Sequence, residues 1–271
     1  MKKFTSMLFA LGLLTATLTG CATNNDNTLV VGLEAAYAPF NWTDSAANSF
    51  NVPLDNVNGA YVDGYDVQIA KKIADGLGKK LVVKAIEWDG LIPAVQSGTI
   101  DLIIAGMSDT EERRQNVLFT NAYYTTTHVI LVKADSRFAN ATNLTGFSGA
   151  KLVGQRSTLY DDLIDQVPNV VHLTPLDTVP SIVTNILSGV SDGTVLELPV
   201  ANAIVLSNPQ LKFVQFAEGQ GFNVSLDERQ VAIALGLGKE TLRDQINNVL
   251  NGITESQRQT LMTEATNRQP G

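Results

Sequence analysis

Cysteine is nearly absent: the chain of 271 residues holds one, Cys21. An internal disulfide is therefore excluded, and with it the cross-linked framework that holds many small exported domains together. Histidine is almost as scarce, with two residues, His128 and His172, neither of them in a motif. A histidine-rich metal cluster cannot be built from them, and a cysteine–histidine pair for nucleophilic catalysis lacks its parts. No G-x-x-x-x-G-K-[ST] segment is present, so the chain does not hydrolyse ATP by the P-loop route. Basic charge is in deficit, with 19 Lys and Arg against 27 Asp and Glu and a formal net charge of −8, which disfavours a nucleic-acid partner. These absences leave no catalytic residue, metal or cofactor to assign. What is plentiful is apolar material: 44% hydrophobic against 17% charged residues suffices for one large or two modest cores.

The longest apolar stretch near the start, Phe4 to Leu18, follows Lys2 and Lys3 and is too short and interrupted to span a bilayer stably. It reads as the apolar core of an export signal. It ends in "LTGC", Leu18 to Cys21, which resembles a bacterial lipobox, so residues 1–20 are expected to be a lipoprotein signal peptide and Cys21 the lipidated residue. A thioether-linked lipid also accounts for a solitary thiol in an exported protein. Several acyl chains hold a protein to a bilayer without an amphipathic helix. Residues 21–28, ending in "ATNNDNT", are polar and without periodicity and read as a flexible tether.

From Leu29 the pattern is that of alternating strands and helices. Leu29 to Leu33 is an apolar run ending at Glu34. In "GYDVQIAKKIADGLG" Val67, Ala70, Ile73, Ala74 and Leu77 share one helical face, and Gly78 is placed as the stop. A strand over Lys80 to Ile86, a short helix in "DGLIPAVQSG" and the doubly buried strand "IDLIIAG" follow, the grammar of a parallel α/β sheet. It returns in "VPSIVTNILSG" and in "GTVLELPVANAIVL", where Pro199 suits a first helical turn. "SGTIDLIIAG" and "SGVSDGTVLE" share a Ser-Gly-x-x-Asp turn before a strand, which suggests two lobes of related build.

Ligands of open parallel sheets sit beyond the carboxyl ends of strands. Glu34, Gly106 with Ser108, and Glu197 all fall there, from both halves of the chain, and a cleft between two lobes is the economical arrangement. Arg113 lies in the first turns of a helix opened by "DTEE", with Asp109 and Glu112 at capping-box spacing. A cation there opposes the helix dipole, and a ligand carboxylate would offset it through two parallel hydrogen bonds, with the Ser108 hydroxyl nearby. Pairing with Glu112 or solvent is the plainer alternative. Glu197 is a lone carboxylate in an apolar run, and a ligand ammonium would satisfy it. Arg113 and Glu197 together would read the two ends of a free amino acid. Tyr37 and Trp88 are either core aromatics or, with Glu34, a bracket around a cationic side chain.

The segments "VVGLEAAYAPFNW", "GYDVQIAKKIADGLGK", "WDGLIPAVQSGTIDLIIAGMSDTEERR", "VLFTNAYY", "VGQRSTLYDDLI" and "SDGTVLELPVA", in that order, resemble the family 3 extracellular solute-binding proteins of polar amino-acid ABC transporters. The resemblance implies the type II periplasmic-binding fold: two α/β lobes joined by a two-segment hinge. It implies that Ala105 or Gly106 meets the α-amino group through a backbone carbonyl, beside Glu197. Ser108 and Arg113 would take the carboxylate, with Thr158 and Leu159 contributing from a second-lobe helix start. Tyr37 and Trp88 would be aromatic walls, Glu34 the side-chain reader, and Gln155 a further side-chain contact. Three positions depart from the family pattern: Ser157 stands for glycine, Glu197 for aspartate and Gln155 for lysine.

On that reading the first lobe comprises residues 29–127 with a hinge segment, the second 128–226, and residues 227–271 return through the hinge to the first. The cleft closes on a polar amino acid, basic by preference (arginine, lysine or histidine) with glutamine as the alternative. The closed form then docks on a membrane permease that draws its energy from ATP hydrolysed elsewhere. The protein is expected to be monomeric and held outside the cytoplasm, on a bacterial membrane, by acylated Cys21. A dehydratase on the same fold is the rival among enzymes. A purely adhesive lipoprotein would have little reason for a matched cation and anion across a cleft.

Overall fold

The computed structural model describes residues 27–270. The predicted signal peptide, Cys21 and most of the predicted tether lie outside the described residues.

Strand β1 (Thr28–Leu33) is the apolar run that ends at Glu34. It lies between β6 (Lys80–Ala85) and β7 (Leu102–Ile103), parallel to both. The sheet continues through β14 (Gln230–Leu235) to β8 (Leu118–Thr125), giving the order β6-β1-β7-β14-β8. Thus a strand from near the C-terminus sits antiparallel in a sheet otherwise built from the first half of the chain. A second sheet has the order β11-β10-β12-β9-β13, from β9 (His128–Lys133), β10 (Lys151–Leu152), β11 (Val171–His172), β12 (Gly193–Glu197) and β13 (Leu211–Val214). Here β10, β11 and β12 run parallel and β9 antiparallel to β12. A small antiparallel sheet, β2 (Ala36–Tyr37), β3 (Asn41–Asp44), β5 (Tyr61–Asp63) and β4 (Val52–Pro53), covers one end of the first lobe.

Helices cover the sheets as the apolar spacing requires. On α1 (Tyr65–Gly76) Val67, Ala70, Ile73 and Ala74 are buried, Leu77 caps the helix, and Gly78 takes φ 65°, the left-handed stop that glycine makes without strain. α2 (Leu91–Gln96) packs on β1 and β7, while α7 (Glu240–Asn251) and α8 (Glu255–Arg268) pack against α1. In the second lobe α4 (Leu159–Ile164), α5 (Val179–Leu187) and α6 (Leu198–Ser207) cover β12, with Pro199 in the first turn of α6.

Two local expectations fail. The helix carrying Arg113 is a single turn, α3 (Glu111–Arg114), capped by the Thr110 hydroxyl rather than by Asp109. Asp109 instead forms a two-point pair with Arg114 at 2.6 and 2.7 Å. A charge-assisted pair outcompetes a cap that a neighbouring threonine can supply. The "IDLIIAG" run is buried throughout its apolar part, yet only Leu102 and Ile103 enter the ladder, because the chain turns toward the cleft at Gly106.

Candidate functional site

Glu34 follows the last residue of β1, half-buried at the carboxyl edge of the sheet. The next residue, Ala35, has φ 60°, so the chain turns sharply and lays Tyr37, in β2, over the loop after β7. Tyr37 is buried and stacked on Phe40, with ring centroids 5.7 Å apart. Gly106, at φ 61°, passes so close beneath that an added Cβ would lie 3.0 Å from the Tyr37 ring. That contact explains why this loop needs glycine where the strand leaves the sheet. Trp88 lies in a 3-10 turn, Trp88–Gly90, beyond the end of β6. Ser108 is buried beside Val231 of β14, and Arg113 reaches back to donate from Nη1 to the Ser108 carbonyl at 2.9 Å.

The second lobe meets this surface directly, so the cleft is closed. Gln155 Nε2 donates to both oxygens of Glu34 at 3.1 Å. Ser157, with φ 57°, takes the left-handed conformation that suits glycine. Its carbonyl accepts from Trp88 Nε1 and from Arg113 Nη2, each at 3.1 Å. The Arg113 guanidinium also lies over the Trp88 ring, 5.2 Å from its centroid, a cation–π distance. Tyr160 Oη and Ser108 Oγ are 3.3 Å apart, and the Tyr37 hydroxyl donates to Glu197 Oε2. A cavity of about 200 Å³ remains among Trp88, Asp89, Ile92, Met107, Arg113 and Ser157.

The charges here are held in unfavourable surroundings. Burial pushes the Glu34 carboxyl up to about 7, against the hydrogen bond from Gln155, and nearby Glu87 and Asp89 push it further. Glu197 is fully buried, which raises its pKa well above the ordinary range, and its Oε1 has no hydrogen-bond partner among the described residues. Burial also lowers the pKa of Arg113, whose guanidinium donates to two carbonyls rather than to a carboxylate. Each of these groups gains from an opposite charge placed between the lobes.

Of the residues singled out from the sequence, Glu34, Tyr37, Trp88, Ser108, Arg113, Gln155 and Glu197 all make contacts at the interface of the lobes or line it. Ala105 and Gly106 form the loop under Tyr37. Thr158 caps α4: its hydroxyl donates to the Gln155 carbonyl at 2.7 Å and accepts from Asp161 N at 3.4 Å, so the cap occupies the hydroxyl and Leu159 begins the helix. Sequence reasoning missed Tyr160 and Phe40. Tyr160 stands in "STLYDD" two residues after the cap, and its place beside Ser108 depends on how the lobes close.

The sheet order and the return of β14 are those of the type II periplasmic-binding fold. The chain belongs to the bacterial extracellular solute-binding proteins, family 3, whose model matches residues 29–265. These are solute-binding proteins of ABC transporters, not enzymes. The arginine-binding extracellular protein ArtP of Bacillus subtilis is 28% identical over 94% of this chain and 94% of its own length. The crystal structure of the amino acid ABC transporter substrate-binding protein AbpA of Streptococcus pneumoniae, bound to L-arginine, superposes with a TM-score of 0.74 at 25% identity, covering 90% of this chain and 96% of that one. An ancestral arginine-binding protein bound to glutamine superposes with a TM-score of 0.70 at 28% identity, covering 88% and 97%.

Proposed function

We propose that this protein captures a cationic amino acid, arginine, lysine or histidine, between its lobes and presents it to an ABC permease while tethered to the outer face of a bacterial membrane through lipidated Cys21. The observation that carries the choice of ligand is the state of Glu34. The groups acting on it are an amide and two further carboxylates, so a cationic side chain entering beside Tyr37 and Trp88 supplies the charge it lacks. In this reading Arg113 and Ser108 hold the ligand carboxylate, replacing the Ser157 carbonyl in front of the guanidinium. Glu197, with the Ala105–Gly106 loop, holds the ammonium. That ArtP is named an arginine-binding protein and that the AbpA crystal structure is bound to L-arginine supports it.

A second reading, glutamine, rests on the same carboxyl. A group with a pKa about 7 also accepts a hydrogen bond from an amide, as the Gln155 contact illustrates. Thermal melts of the purified chain with each of the twenty amino acids test both. A ligand at about a hundred times its Kd adds roughly 2.7 kcal/mol, a shift of several degrees. Arginine, lysine or histidine is expected to give the largest shift. A largest shift from glutamine would replace the first reading by the second, and no shift from any amino acid would sink both. Catalysis by the pure protein, seen as conversion of a bound amino acid, would return the dehydratase alternative.

A further inference from the structure

We infer that Asp66 is a positioning residue for ligand capture, its buried carboxylate locking together the two first-lobe loops that present Glu34, Tyr37, Ala105 and Gly106. The inference rests on the ligand-binding reading of that cleft.

Asp66 is the second residue of α1 and is wholly buried. Its Oδ1 accepts from the Tyr123 hydroxyl at 2.6 Å and its Oδ2 from Asn41 Nδ2 at 2.8 Å. Each donor continues to a loop of the site. Asn41 Oδ1 accepts from the backbone N–H of Ala35 at 2.7 Å, the left-handed residue directly after Glu34. The Tyr123 hydroxyl oxygen accepts from the backbone N–H of Gly106 at 3.1 Å, the left-handed residue beneath Tyr37. One carboxylate therefore fixes both turns, and at Ala35 it holds a left-handed conformation that a residue with a Cβ adopts only at a cost.

The direction of every bond in this relay is determined. Asn41 uses its oxygen on Ala35, so its amide must donate toward Asp66. Tyr123 uses its oxygen on Gly106, so its proton must point toward Asp66. Position 66 has to accept twice, from two neutral donors, and a carboxylate is the side chain of this size that does so without a mismatch. The first turn of α1 favours negative charge there, and the Asp66 backbone N–H donates to the Phe40 carbonyl at 2.8 Å, tying the helix start to the same loop. No salt bridge stabilises the carboxylate among the described residues, and burial pushes it up to about 7 against these hydrogen bonds. A buried, unpaired carboxylate is an expensive way to fill a core and is explained by what it holds in place.

The test uses the full chain and titrates L-arginine and L-glutamine into each variant by calorimetry, well below the melting temperature of that variant. Asp66→Asn turns one acceptor into an amide facing a donor, and is expected to bind the preferred probe at least tenfold more weakly while still melting cooperatively. Asn41→Asp combined with Asp66→Asn restores the pattern, because the amide at 66 then donates to the carboxylate at 41 and its oxygen accepts from Tyr123. That double variant is expected to regain most of the affinity. Wild-type affinity in Asp66→Asn, whatever its melting temperature, would reduce the residue to a stability role and overturn the inference, as would a double variant no better than the single one. Should Asp66→Asn fail to fold, Tyr123→Phe removes the hydroxyl that bridges Asp66 and Gly106 while leaving the Asn41 arm in place; it is expected to lose affinity as well, and wild-type binding by it overturns the inference. Failure of the wild-type chain to bind either probe appears before any variant is made and sinks the reading of the cleft itself.

Discussion

The side-chain amide of Gln155 sits astride the Glu34 carboxylate, 3.1 Å from each oxygen, and also donates to the Asp177 carbonyl at 3.0 Å. The two lobes thus meet, at what the proposed reading makes the side-chain end of the cleft, through a carboxyl group and a neutral donor. A cationic ligand adds charge compensation at this point, whereas glutamine adds only another amide. Glu34→Gln is therefore expected to weaken arginine by about 2 kcal/mol or more, the range for a buried charge-assisted contact, and glutamine by less than about 1 kcal/mol. Calorimetric titration of both ligands decides it; equal losses would remove the basis for preferring a cation.

The same carboxyl gives a pH dependence with a definite sign. Its folded pKa is about 7, raised from 4.5 chiefly by burial. In the ligand-free protein Glu34 therefore favours the fold fully below about 4.5, and that contribution disappears as pH rises through about 7. Capture of arginine needs the ionised form, so the trend reverses: affinity is expected to climb by up to about tenfold per pH unit between 5 and 7, then level off. Titrations at pH 5, 6, 7 and 8 show the slope, and Glu34→Gln is expected to flatten it. A slope that survives in that variant would assign the titration to another group.

Arg113 is held by the Ser108 and Ser157 carbonyls and by the Trp88 ring, so its fork is already oriented toward the gap between the lobes. Arg113→Ala is expected to reduce affinity for every amino acid alike by about 2–5 kcal/mol, since the carboxylate is common to all. Arg113→Lys is expected to recover little of it, because a point charge reproduces neither the two parallel bonds nor the stacking. Titration of three chemically different amino acids checks this. A loss confined to one of them would place Arg113 on the side-chain end of the ligand instead.

Part of the candidate site was legible from spacing alone. Glu34 and Glu197 each end an apolar run, and a strand ending in a carboxylate can be located from a single sequence. The buried face of α1 and its stop at Gly78 were legible for the same reason, periodicity set against a breaker. What spacing does not carry is long-range partnership. Asp66 and Tyr123, 57 residues apart, meet through the sheet order, and Tyr160 reaches Ser108 only because the lobes close. Local competition misled as well: Asp109 has the spacing of a cap, yet Arg114 claims it and Thr110 takes the role. Ser157 stands where the resemblance expects glycine, and its backbone is left-handed, which a single sequence does not show.

His172 offers a separate test of the second lobe. Its Nδ1 lies 2.8 Å from Asp165 and its Nε2 2.9 Å from Asp161, both on or next to α4, whose cap is Thr158. A neutral imidazole has one N–H and would set a lone pair against one carboxylate; the imidazolium satisfies both. Partial burial works against the charge, but the hydrogen bonds and charges of Asp161 and Asp165 prevail and raise the pKa above 6.5. The stabilisation is thus fully present below 6.5 and is lost as pH rises through the higher folded value. His172→Gln is expected to lower the melting temperature at pH 5.5, by a few degrees at most given that Asp165 is largely solvated, and to leave it unchanged at pH 9. Melts at the two pH values check the sign. Because the ring nitrogens of His172 bond to Asp161 and Asp165 and to no cleft residue, arginine affinity at pH 8 should be that of the wild-type chain, and a loss there would show that the register of α4, whose Asp161 N–H donates to Thr158, sets the geometry of the Ser157 turn.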